Sequence, residues 1–155
     1  MKKIWIDLET TGLDPVKHGV IQIAGIIEKG DEKIGEFNFS CQPLKGDKIT
    51  RKALEVNNID YEGLQKFDPP SEVMANLLEV FKKYVDPFNK KDKFTMLGYN
   101  SKFDYDFLRK WFEKQNYSFF GSFVWFPPVD IMNLVAYIAG AERASFKNFQ
   151  LSTVA

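Results

Sequence analysis

A chain of 155 residues carrying 21 Lys plus Arg against 21 Asp plus Glu has the length of one domain and a formal charge of zero, so a second full domain and a salt-driven grip on long duplex nucleic acid are both excluded. Hydrophobic residues at 45% and charged residues at 27% exclude a disordered, collagen-like or supercharged chain. No apolar run approaches the roughly 20 residues of a membrane-spanning helix, and Met1-Lys2-Lys3-Ile4 leads on without a small-residue cleavage site, so the expectation is a cytoplasmic protein with no membrane partner.

In chain order, residues 4–8 are apolar and β-compatible, and residues 20–27 form a second such run that ends at the turn Lys29-Gly30-Asp31. Phe37, Phe39 and Cys41 then alternate with Glu36, Asn38 and Ser40. That is the period of a half-buried strand, and it makes a hairpin with the strand before it. Residues 50–56 have the pattern of a short helix. Residues 71–85 have that of a longer one, with Val73, Leu77, Val80, Phe81 and Tyr84 at helical spacing and Asp86-Pro87 as its stop. Residues 94–99 are the next expected strand, feeding a helix over residues 102–115 whose buried stripe is Phe107, Leu108, Trp111 and Phe112. An aromatic, proline-containing connection follows over residues 119–128. Asp130 then opens a helix carrying Ile131, Leu134, Val135 and Ile138, closed by Gly140. Residues 146–155 begin an amphipathic segment with Phe149, Leu151 and Val154 that stops without a cap. The reading is one α/β domain over residues 1–155, a mixed β-sheet flanked by helices, cut within a C-terminal helical segment.

Two composition features bear on chemistry. A single cysteine, Cys41, allows no internal disulfide, fits a reducing compartment and leaves no cysteine-based zinc site within one chain. The small basic clusters at Lys48, Arg51 and Lys52, at Lys90, Lys91 and Lys93, and at Arg109 and Lys110 read as solvated surface.

The acids are less ordinary. Asp7 and Glu9 stand two apart at the end of a strand, so the pleat points both to one face, alongside Trp5. Two anions roughly 4 Å apart repel by about 4 kcal/mol at an effective dielectric near 20, which calls for a cation between them; the alternative is a strand end open to water. Asp104 falls in the first turn of its helix in register with Phe107, Leu108 and Trp111, facing the core; the alternative for it is a capping box with Ser101. Asp106 faces solvent, spaced for an ion pair with Lys110. Three inward carboxylates, in a chain without a histidine or cysteine cluster, match an oxygen-ligand site for magnesium or manganese. Two such ions about 4 Å apart serve phosphodiester hydrolysis.

Ile4-Trp5-Ile6-Asp7-Leu8-Glu9-Thr10-Thr11-Gly12-Leu13 resembles the first motif of the DnaQ-like, or DEDD, 3′-to-5′ exonucleases, and residues 98–108, with Asn100 before the pair Phe103-Asp104, resemble the second. The resemblance implies a ribonuclease H-like fold. It implies that Asp7, Glu9 and Asp104 hold two Mg²⁺ or Mn²⁺ ions, and that Thr10, Thr11, Leu13, Asn100 and Phe103 touch the terminal nucleotide. The implied activity is metal-dependent exonucleolytic release of nucleotides from the 3′ end of single-stranded or frayed DNA or RNA, with a polymerase as a possible partner. Two departures stand out. Tyr99 occupies a place where relatives often carry His. The family's third motif, His followed five positions later by Asp or Tyr followed four later by Asp, is absent from the sequence. His18, the only histidine, reads as a loop residue, and Asp130 as an N-cap. The parent protein is therefore expected to be the exonuclease, with these residues alone impaired or inactive. The alternative is a non-catalytic nucleotide- or nucleic-acid-binding module of the same fold.

Overall fold

The computed structural model describes residues 1–154. In chain order the elements are β1 (Lys2–Thr10), β2 (Val20–Lys29), β3 (Glu32–Ser40), α1 (Arg51–Val56), α2 (Tyr61–Gln65), α3 (Pro70–Tyr84), β4 (Phe94–Gly98), α4 (Ser101–Lys114), β5 (Val129–Asp130), α5 (Ile131–Ala139) and α6 (Leu151–Val154). Short 3-10 turns stand at Phe120–Ser122 and Gly140–Ser145. The five strands form one mixed sheet in the order β3-β2-β1-β4-β5, with β1–β2 and β2–β3 antiparallel and β1–β4 and β4–β5 parallel. Gly30 turns the hairpin at φ +62°, a backbone region open to glycine at no steric cost.

Alternation along β1 decides the layering. Ile4, Ile6 and Leu8 are buried on one face, while Trp5, Asp7 and Glu9 share the other. The buried face continues through Ile23, Ile27, Phe94 and Met96 and meets Val73, Leu77 and Phe81 of α3 and Phe107, Leu108 and Phe112 of α4. Each fully buried large side chain there contributes about 1.5–3 kcal/mol of burial. A satellite cluster of Ile21, Leu54 and Leu64 seats α1 and α2 at the edge of the sheet.

The sequence expectations hold for the early strands, for the helices near residues 71–85 and 102–115, and for the Asp130 cap, whose carboxylate accepts the Met132 N–H at 3.0 Å. Elsewhere the structure corrects them. β3 starts at Glu32, because its ladder with β2 runs unbroken to the turn except for one bulge, and Cys41 lies beyond the strand, bridged to Asp68. Residues 119–128 are more than a connection: they hold a 3-10 turn, and Val124 bridges Phe94 before β5 adds its short parallel strand. The helix opened by Asp130 has the expected apolar spacing yet buries none of its residues, with Tyr137 and Ile138 85% and 81% exposed.

Candidate active site

The parallel ladder between β1 and β4 ends at Trp5 and Leu97, so β1 runs on past its neighbour with one edge unpaired. Beyond β4, Asn100 in the left-handed region at φ +61° reverses the chain into α4, which returns Asp104 to that bare edge. There the Leu8 N–H donates to Asp104 Oδ1 at 3.2 Å. A strand that has lost its ladder partner must satisfy its N–H another way, and the carboxylate does so.

Asp104 is only 6% exposed. Burial first, and then the negative charge of Asp7, push its carboxyl up to about 7, and Glu9 adds to the effect. Glu9, half-buried, is likewise raised, by burial and by Asp7. The three acids therefore feel one another across the end of β1 and the start of α4. Their oxygens do not close on one point: among the described residues, no three or more His, Cys, Asp or Glu side chains are gathered tightly enough to hold a metal ion as they stand. In this geometry Asp104 is turned to Leu8, and Asp7 is exposed.

Two local alternatives are resolved as well. There is no capping box on α4: Asn100 is the N-cap and makes no side-chain cap bond, while Ser101 is inside the helix with its Oγ buried and unpartnered. Asp106 pairs with Lys102 one turn back rather than with Lys110, which goes to Glu113. Both partners of Asp106 would be at helical spacing, so sequence alone could not choose between them.

The loop after β1 is locked to α1 by side chains. Thr11 Oγ1 donates to the Lys48 carbonyl at 2.6 Å and accepts the Gly19 N–H at 2.8 Å. Thr50 Oγ1, the N-cap of α1, donates to the Thr11 carbonyl at 3.0 Å, and Asn57 Nδ2 donates to the Thr10 carbonyl at 3.1 Å. His18 folds over Gly12 so closely that a Cβ there would lie 2.3 Å from its Cδ2, and its Nδ1 stands 3.1 Å from both the backbone nitrogen and the carbonyl oxygen of Asp14. These contacts hold open a cavity of about 500 Å³ between the end of β1, α1 and Phe103 of α4. Glu9 stands on its wall, and Leu13, 84% exposed, forms its rim.

Of the residues expected to touch a nucleotide, Thr10, Leu13 and Phe103 line this cavity. Thr11 does not; it is fully buried and its hydroxyl is committed inside the loop. Asn100 is exposed at the end of the sheet, its N–H held by Asp130 Oδ1 at 3.0 Å, and lines neither this cavity nor the groove described next. His18, Lys52, Val56 and Asn57 line the cavity without having been singled out for it. Lys52, Val56 and Asn57 share one signal in the sequence, the short α1 that follows the first motif, and His18 has none. On the open face of the sheet a second, shallower groove of about 680 Å³ reaches Asp7 over Trp5, Ala24, Ile26 and Leu97, with Leu151 leaning on it from α6.

Comparison with known proteins follows the same lines. The family model RNase_T, described as exonuclease, matches residues 4–126. The chain is 31% identical over 109 residues to ribonuclease T of Buchnera aphidicola subsp. Baizongia pistaciae, covering 66% of this chain and 50% of that protein. It is 29% identical over 109 residues to the PolC-type DNA polymerase III of Thermotoga maritima, covering 70% of this chain and 7% of that protein. Among solved structures, E. coli exonuclease I in complex with a dT13 oligonucleotide superposes with a TM-score of 0.75 at 21% identity, over 99% of this chain and 34% of that one. That likeness shows the fold: a ribonuclease H-like mixed sheet flanked by helices. The chain spans half or less of the length of each of these proteins.

Proposed function

This chain belongs to the RNase_T exonuclease family, the DnaQ-like 3′-to-5′ exonucleases, and from that premise we propose that it hydrolyses phosphodiester bonds at the 3′ end of a nucleic-acid strand with two divalent cations, Mg²⁺ or Mn²⁺. One observation carries the reading: a buried Asp104 beside Asp7 and Glu9, its carboxyl driven up to about 7 with those two anions among the causes. Such a gathering of like charges is costly unless it has a positive ligand to receive. The donor set is all carboxylate oxygen, which fits a hard divalent cation. Asp7, Glu9 and Asp104 would hold it, and when bound it supplies electrophilic stabilisation of the phosphate under attack.

The chain's own residues do the rest. Glu9 belongs both to the acidic group and to the cavity wall, so it ties the position of the terminal nucleotide to the position of the reacting phosphate. Leu13 and Phe103, both on the cavity wall, would contact the base, Phe103 offering a stacking contact of roughly 1–3 kcal/mol in single-strand binders. The loop network through Thr11, Thr50 and Asn57 fixes that geometry before substrate arrives, which lowers the cost of ordering it. A single-stranded or frayed DNA or RNA end is the substrate this supports. The exonuclease I structure with dT13 and the likeness to PolC-type polymerases are in keeping with a single strand and with a polymerase partner.

The test is direct. With Mg²⁺ or Mn²⁺, 5′-labelled single strands are expected to shorten stepwise from the other end, and Asp7→Asn to abolish it. Undiminished degradation by Asp7→Asn would sink the assignment. A second reading, a nucleotide-binding module without turnover, is favoured by one feature of the sequence: no His is followed five later by Asp, and no Tyr four later. A missing general base alone removes about 10²–10⁴ in rate. Calorimetric binding of a mononucleotide with a divalent cation, alongside intact strands, would select it.

A further inference from the structure

We propose that the cavity beside Glu9 reads its terminal base through Lys52, and so prefers bases with a keto oxygen at purine position 6 or pyrimidine position 4 (guanine, thymine, uracil) over adenine. The inference rests on the reading of this cavity as the terminal-nucleotide site. Its walls are mostly apolar, through Leu8, Leu13, Ala53, Val56 and Phe103, which bind any base by its faces. Selectivity must then come from polar groups at the edge.

Most of those groups are already committed. Thr10 Oγ1 donates to the Gly12 carbonyl at 2.7 Å, Thr50 Oγ1 to the Thr11 carbonyl at 3.0 Å, and Asn57 Nδ2 to the Thr10 carbonyl at 3.1 Å. Lys52 is different. It projects from α1 onto the cavity wall, and its ammonium takes part in no ion pair and no side-chain hydrogen bond found among the described residues. Its neighbour Arg51, by contrast, is tied to Glu55 at 2.9 Å. A lysine ammonium has three donors and no acceptor. It can meet the O6 of guanine or the O4 of thymine and uracil, whereas the exocyclic amine of adenine would set donor against donor.

Calorimetric titration of the chain with dAMP, dGMP and dTMP, in Mg²⁺, tests this, since dGMP and dAMP match in size and differ at the group in question. We expect dGMP and dTMP to bind at least about tenfold more tightly than dAMP, the scale of one charge-assisted hydrogen bond. In Lys52→Met that ratio should fall toward one, and in Lys52→Arg most of it should return, with unchanged circular dichroism showing that each variant folds. A wild-type chain that binds all three alike overturns the proposal. So does Lys52→Met weakening all three by one common factor, which would place the ammonium on the phosphate. If no mononucleotide binds at all, the nucleotide-site reading itself fails.

Discussion

Asp104 is held by influences that pull against one another. Burial and the charge of Asp7 favour its neutral form, while the Leu8 N–H favours the anion, and the first two win, leaving the carboxyl near 7 against an ordinary 3.8. Below about pH 4 both the folded and the unfolded chain carry the proton, and the residue has no effect on stability. Between there and pH 7 only the folded chain holds it, so a destabilising contribution grows as pH rises through that window and is complete above it. Asp104→Asn keeps an acceptor for Leu8 and removes the charge. In EDTA it should match the wild type near pH 4 and exceed it at pH 8, by up to roughly 4 kcal/mol. Thermal melts at the two pH values check this, and equal differences at both would show that the buried charge is not the cause.

At the level of elements, the two that carry the acids were legible because each has a clean period: alternation puts Asp7 and Glu9 on one face of β1, and the stripe of α4 turns Asp104 inward. What was not legible is the scaffold between them. Thr11 and Asn57 serve the loop through hydrogen bonds to residues far away in the chain, Lys48 and Thr10, and no local pattern announces such partners. β5 is two residues long, too short for any period to register. The contact between Gly12 and His18 is of this hidden kind. A Cβ at Gly12 would meet His18 Cδ2 at 2.3 Å, so the ring must move or the loop must shift. Gly12→Ala should therefore cost about 1–3 kcal/mol, the usual range for overpacking. His18→Ala should cost less in that background than alone, because the collision it relieves is then present. Urea unfolding of the four members of the cycle measures the coupling, and strictly additive costs would mean that the ring and the new methyl do not meet.

Across the whole molecule the core is one-sided. α3 and α4 cover the face of the sheet that bears Ile4, Ile23 and Met96, while the opposite face keeps a groove over Trp5, Ile26 and Leu97 that leads to Asp7. The apolar stripe of α5 misled for the same reason: periodicity reports which face is apolar, not whether anything packs on it, and Leu134, Tyr137 and Ile138 remain exposed. The acids thus lie at the boundary between the packed face of the sheet and the open one. A divalent cation should then stabilise the entire fold by binding the native acids alone. At a hundredfold excess over its dissociation constant the gain is about 2.7 kcal/mol, which for a chain of this size raises Tm by roughly 5–10 °C. Mn²⁺ titrations followed by thermal melting should show that rise, larger at pH 8 than at pH 5 because Asp104 must lose its proton to bind. Asp7→Asn should abolish most of it; a rise of equal size in that variant would put the ion elsewhere on the surface.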